Sequence, residues 1–364
     1  MDHSNFQSNI DEMSTRLAAV FEKRMRFAIL LFLLAIGVCR ADDFIKGADV
    51  SWLPQMEASS FVFRDDSGKP ADCLKVLRDH GMNAIRLRVW VNPTDHPRSG
   101  HCSAEETAKM AARAQRMGFR ILLDFHYSDT WADPSHQAKP AAWATHDVEQ
   151  LGKDVFHHTT EVLQTLRKQG VTPEWVQVGN EIANGMLWPE GKLPSHADNL
   201  AGFLRQGAKA VKAFDPRIKV ILHLHGGENH AMFRWFFDAM KERKVEYDII
   251  GMSYYPAWTK DPENYQKSIG DLGSNLNEMA RIYQKPVMVV ETGGPDDKPA
   301  ETRAMIEAVI QKVRAVPGKQ GLGVFYWEPQ GAAVWSRYKM SCWKADGQPT
   351  EALDAFVEKA EARK

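Results

Sequence analysis

The sequence predicts an α/β fold: one (β/α)8 TIM barrel over residues 42–364, behind an N-terminal signal segment at 1–41. Three observations carry this. Short apolar runs of strand type recur at 45–50, 84–89, 120–125, 175–179, 219–223, 249–253, 287–291 and 321–326, rich in β-branched and aromatic residues. Helical periodicity follows the later runs: Leu151, Val155, Val162 and Leu166 mark one apolar stripe, and Met305, Ile306, Val309, Ile310 and Val313 another. No Gly/Ser linker or shift in composition divides the chain, as a single barrel requires. A doubly wound open sheet would also fit the alternation, but it usually brings a phosphate-binding glycine turn, which is missing.

Residues 1–41 read as leader. Lys23, Arg24 and Arg26 form a positive segment, residues 27–38 an apolar one, and Cys39-Arg-Ala41 a tolerable cleavage site. The apolar segment is shorter than the ~20 residues that a membrane-spanning helix needs. Cys39 invites a lipoprotein reading, but Val38 stands where a small residue is expected. The polar stretch ahead of Met25 points to translation starting at Met25. The expected destination is the periplasm or the exterior. Without the leader, Cys73, Cys102 and Cys342 remain. One disulfide with one buried thiol, or three thiols, would both fit; none of the three has metal-ligand spacing.

The chain is 44% hydrophobic and 26% charged, ordinary for a protein with a sizeable core. The net charge of −1 implies neither a polyanion nor a membrane surface as partner. No P-loop, HExxH, CxxC pair or dinucleotide fingerprint occurs. Eleven tryptophans suggest stacking surfaces as well as core.

A barrel places chemistry just after each strand, at its C-terminal face. Polar residues gather there. Asp49 follows the first strand, and Arg86 and Arg88 alternate onto one face of the second. The third ends in Asp124-Phe-His126-Tyr-Ser-Asp129, and the fourth in Asn180-Glu181. The fifth carries His223 and His225, and the sixth ends Ser253-Tyr-Tyr255-Pro. The seventh closes on Glu291 and the eighth on Trp327-Glu328. At the other end, Asp79-His-Gly81 and Gln169-Gly170 are ordinary turns. The last helix is expected to open at Pro349 and run through Leu353, Phe356 and Val357.

Two strand-capping glutamates are what hydrolysis of a glycosidic bond needs: one acid to protonate the leaving oxygen, one carboxylate to attack the anomeric carbon or activate water. A single glutamate at a strand end is usually a solvated rim residue. Glu181 after Asn180, and Glu291 before Thr-Gly, in a tryptophan-rich chain, favour catalysis. Pro286-Val-Met-Val-Val-Glu291 repeats the apolar build of Trp175-Val-Gln-Val-Gly-Asn-Glu181.

The stretches Gly47-Ala-Asp-Val-Ser51, Arg86-Leu-Arg-Val-Trp-Val-Asn-Pro93 and Asp124-Phe-His-Tyr-Ser-Asp-Thr-Trp-Ala-Asp-Pro134 resemble glycoside hydrolase family 53, the arabinogalactan endo-β-1,4-galactanases. So do Gly179-Asn-Glu-Ile182, Leu187-Trp-Pro189, Ser253-Tyr-Tyr-Pro256 and Phe325-Tyr-Trp-Glu-Pro329, so the resemblance spans nearly the whole mature chain. It implies a retaining endo-enzyme on the β-1,4-galactan side chains of pectin, with Glu181 as general acid/base and Glu291 as nucleophile. It also favours substrate contact for His126; Asn180, Asp124, Arg86, Arg88, Tyr255 and His223 are further candidates, with Trp327 stacking under the sugar at the cleavage point. Arg86 and Arg88 equally suit a strand pair tied to core carboxylates, Tyr255 and one of these arginines would hold Glu291 charged, and His223 equally suits core packing. Trp131 and Trp188, and also Trp258, would extend the cleft; Trp52, Trp90 and Trp143 equally suit packing. Asp124 and His126 equally suit a structural network at the barrel mouth.

After Glu291-Thr the family pattern is bulkier than Gly293-Gly-Pro-Asp-Asp-Lys-Pro299, so a wall is missing there. No cofactor and no catalytic metal are expected. Some relatives carry a structural calcium ion, but no Asp-x-Asp-type run commits this chain to one. The expected partner is a polysaccharide, met as a monomer, with no nucleic acid and no membrane after leader cleavage. The alternatives are a barrel glycosidase of the same clan acting on mannan or xylan, a non-catalytic glycan-binding protein, and a metal-dependent hydrolase using His223, His225 and His126.

Overall fold

A computed structural model describes residues 44–94, 96, 101–258 and 265–358. The leader, with Cys39 and Met25, lies outside the described residues. Eight parallel strands close on themselves in sequence order, from β1 (Ile45–Asp49) beside β2 (Ala84–Val89) round to β8 (Gly321–Trp327) beside β1. Between these lie β3 (Arg120–Phe125), β4 (Trp175–Val178), β5 (Lys219–Leu224), β6 (Ile249–Tyr254) and β7 (Val287–Thr292). Helices Ala104–Arg116, Val148–Lys168, Ala197–Phe214, His230–Glu242, Tyr265–Tyr283 and Pro299–Arg314 form much of the outer layer. The expected stripes are the buried faces of Val148–Lys168 and Pro299–Arg314.

The strand period of two sorts the barrel interior into layers. Ala84, Leu122, Trp175, Ile221, Ile249, Met288 and Phe325 belong to one apolar plug. Two residues further along four of the same strands stand Arg86, Asp124, Gln177 and His223, all fully or almost fully buried. The plug excludes water below, and the polar layer above it must satisfy itself. Gly47 makes the plug possible: a Cβ there would lie 2.2 Å from the Phe325 ring.

The chain end departs from expectation. Pro349 does not open an α-helix; a short 3-10 turn, Glu351–Phe356, buries Leu353 and Phe356. Its bonds span three residues, as from the Leu353 amide to the Thr350 carbonyl, and Val357 is already extended. Cys73, Cys102 and Cys342 are all buried free thiols.

Candidate active site

Arg86 is the hub of the polar layer. Its Nη1 donates to Asp49 at 2.7 Å. Nη2 reaches Asp124 at 2.9 Å, Asn180 at 3.0 Å and Glu291 at 2.7 Å. Nε donates to Gln177 at 2.9 Å. A planar guanidinium can serve this many acceptors in fixed directions, which a lysine ammonium cannot. Burial pushes Asp124 up, but Arg86 and His126 outweigh it and hold it below the usual carboxylate value. The Ala132 amide donates to His126 Nδ1 at 3.0 Å, so Nε2 carries the hydrogen and donates to Asp124 at 3.0 Å.

Glu181 and Glu291, from opposite sides of the ring, line one cavity of about 440 Å3 at the C-terminal mouth. The chain leaves β4 through Gly179 at φ 88° and then holds Glu181 itself at φ 50°. A non-glycine residue in that region costs on the order of 1–3 kcal/mol, and such strain concentrates at functional sites. Glu291 is fixed differently. It lies inside β7, where the pairing with β6 shifts register at Met252/Ser253 and sets Ser253 opposite Glu291. Such an irregularity re-aims side chains.

The two carboxyls have different partners. Ser253 donates its hydroxyl to Glu181 Oε1 at 2.6 Å. Glu291 takes Arg86 on Oε1 and the Tyr255 hydroxyl, at 3.3 Å, on Oε2. Burial raises Glu181 to about 7, against Ser253 and Arg86. Burial also pushes Glu291 up, opposed by Arg86 and reinforced by Glu181. The two carboxyls influence each other's titration, and direct contact with Arg86 favours the charge on Glu291.

Trp131 and Trp327 form an aromatic wall, edge to face at 5.9 Å, with Trp52 packed behind at 6.0 and 5.1 Å from them. Buried Arg88 props this wall. Its guanidinium carbon lies 4.3 Å from the centre of Trp131, 5.5 Å from Trp52, 5.6 Å from Trp90 and 6.0 Å from Trp327, while Nη1 pairs with Glu328. Across the cavity, Trp258 rests on Tyr255 at 4.4 Å and is 67% exposed.

Glu181, Glu291, Asn180, His126, Tyr255, Trp131 and Trp327 all line the cavity. The other expected contacts stand elsewhere. Arg86, Arg88, Asp124 and His223 lie outside its lining; burial in the barrel gives them protein partners instead. His223 has Asn180 and Gln177 at Nδ1 and Ser253 at Nε2, so both ring nitrogens are already engaged. Trp188 also lies outside the lining: its Nε1 donates to the Asn184 carbonyl and Lys192 sits over its ring. Sequence reasoning passed over Gln177, and it took Ser253 only as a strand end. A glutamine inside the apolar run Trp-Val-Gln-Val was the available signal for the first. Asp133, His225 and Glu228 also line the cavity.

The family pattern described as glycosyl hydrolase family 53 matches residues 45–361. The chain belongs to that family. Relatives at 32–37% identity align over most of its length. One, named a probable arabinogalactan endo-beta-1,4-galactanase A, from Neosartorya fischeri, is 34% identical over 90% of this chain and 97% of its own. The arabinogalactan endo-beta-1,4-galactanase of Cellvibrio japonicus is 33% identical over 85% of this chain and 87% of its own. The solved family 53 catalytic domain of Ignisphaera aggregans superposes with a TM-score of 0.79 at 28% identity, covering 88% of this chain and 98% of that one.

Proposed function

We propose that this family 53 protein is an endo-acting β-1,4-galactanase of arabinogalactan, cleaving with retention of configuration. The carrying observation is the unequal pair of carboxyls in one cavity: Glu291 held by a guanidinium, Glu181 raised to about 7 by burial. The names of its relatives support galactan as the polymer.

In the first step Glu181 gives its proton to the glycosidic oxygen while Glu291 attacks the anomeric carbon. The C–O bond to the leaving sugar breaks and an ester to Glu291 forms. Glu181 is now a carboxylate, and the ester, by removing the negative charge beside it, keeps it ionised and free to accept the proton of the incoming water. The water oxygen then displaces Glu291. Asn180 presents its amide at the mouth, with one N–H spent on the Ala132 carbonyl at 2.8 Å and the other available to a sugar hydroxyl. The indole faces of Trp131 and Trp327 suit the apolar face of galactose. Export to the periplasm or exterior and action as a monomer belong to this proposal. Among the described residues no helix is long and apolar enough to cross a membrane.

The test is reducing-sugar release from pectic galactan, arabinogalactan, mannan and xylan. Release of galacto-oligosaccharides from the first two supports the reading, and faster release from mannan or xylan overturns the substrate assignment. Glu291→Ala with added azide should give a glycosyl azide of inverted configuration; its absence would count against the covalent step.

A further inference from the structure

A second groove lies away from the active-site mouth. It has a volume of about 930 Å3 and is lined by the C-terminal half of helix Ala197–Phe214, the segment 244–248 that leads into β6, and Lys285 just ahead of β7. Segments that lead into strands sit at the N-terminal end of the barrel, opposite the mouth. Arg205, Lys209, Lys212, Lys244 and Lys285 line this groove against only two acids, Glu246 and Asp248.

One of these cations has a structural task. Lys212 pairs with Asp248 at 2.7 Å and donates to the Ile218 carbonyl at 2.7 Å, while Asp248 accepts the Val220 amide at 2.8 Å. That set closes the end of the helix onto β5. The remaining four are placed otherwise. Arg205 is steadied by a bond from Nη1 to the Arg243 carbonyl at 2.8 Å. Lys209 sits 5.8 Å from the Phe156 ring centre and Lys285 5.6 Å from that of Tyr247. Among the described residues, no ion pair engages Arg205, Lys209, Lys244 or Lys285. The chain as a whole carries a net charge of −1, so this excess of unpaired cations in one groove is local. Like charges gathered in a concave surface raise its potential and attract an extended polyanion.

We propose that this groove is a second polysaccharide site that holds a uronate-bearing chain, its carboxylates on the lysines, while the mouth on the other side works on a neutral galactan. Three features point to a carboxylated glycan. The lining carries Ala208, Ala213 and Tyr247 between the cations, an apolar surface against which sugar rings can lie. The cations are mostly lysines, point charges on flexible stems that can follow carboxylates spaced along a chain without a fixed fork geometry. And the inference rests on the proposed galactanase activity, because galactan is carried as side chains on pectin, whose backbone is rich in uronate.

The test is native electrophoresis of the full chain through gels holding polygalacturonate, neutral β-1,4-galactan or double-stranded DNA, with galactan turnover measured in parallel. Polygalacturonate should retard the protein at low salt and lose its effect at high salt. The triple variant Lys209→Gln/Lys244→Gln/Lys285→Gln should bind it about ten-fold more weakly, each exposed charge contributing a few-fold. Its turnover of isolated neutral galactan should stay within about two-fold of the parent, since surface changes away from a site are nearly neutral. No retardation of the parent, equal retardation of the variant, or stronger retardation by DNA would overturn the proposal. Loss of galactan turnover by the parent itself would instead sink the activity on which it rests.

Discussion

Ser253 stands opposite Glu291 in the register of β6 and β7, and gives its hydroxyl to Glu181 at 2.6 Å. One residue thus touches the proposed acid while sitting beside the proposed nucleophile. The donated bond lowers Glu181, working against burial, and leaves it at about 7. Glu181 acts in its protonated form, so kcat/KM should fall as pH rises through about 7. Ser253→Ala removes the lowering contribution and should move that limb upward by about one unit, a charged hydrogen bond being worth ~1.5 kcal/mol. A pH profile of kcat/KM on galactan measures this. A limb that stays put or moves down would break the link between Ser253 and the acid.

Arg86 separates the charges of Asp49, Asp124 and Glu291 from one another. Arg86→Met should leave them facing one another unpaired, costing about 3–5 kcal/mol of stability and nearly all turnover. Urea unfolding measures the first. A loss below about 1 kcal/mol would mean that the carboxyls find other partners and that the hub is dispensable.

Arg88 lies outside the cavity lining and packs against the tryptophans of its wall. Arg88→Lys keeps the charge and the reach to Glu328 but loses the flat face against Trp131. KM for galactan should rise about five-fold, with kcat changed less, since cation–π contacts of this kind are worth ~0.5–2 kcal/mol. Tryptophan emission should shift with it. An unchanged KM would show that the wall holds its shape unaided.

Trp258, exposed and resting on Tyr255, is expected to carry a sugar beyond the cleavage point. Trp258→Ala should lower kcat/KM on polymeric galactan several-fold while changing stability by less than about 0.5 kcal/mol. Equal rates on the polymer would remove it from the cleft.

Much of this architecture was legible from residues alone. The strand at 84–89 and the one at 120–125 coincide with β2 and β3 to the residue. The alternation of Arg86 and Arg88 already told which face of β2 carries polar groups. What period and spacing left hidden depended on contacts between distant segments. The register shift at Met252/Ser253 exists only in the pairing of β6 with β7, so nothing local marked Ser253 as the partner of Glu181. His223 and His225 share a parity, yet β5 ends at Leu224. His223 therefore stays in the polar layer, and His225 reaches the cavity. Trp188 looked like its neighbours in the motif, but the turn around it holds the ring against Asn184 and Lys192. Pro349 suggested a helix start, and the short segment after it closes as a 3-10 turn.

The division of labour between Glu291 and Glu181 is tested most directly by trapping. Incubation with a 2-fluoro galactoside bearing a good leaving group slows both steps and lets the covalent intermediate accumulate. Peptide mapping by mass spectrometry should then find the fluorosugar on Glu291 alone, with none on Glu181. A fluorosugar attached to any other carboxyl, or turnover of the compound with no adduct and an inverted first product, would contradict the account.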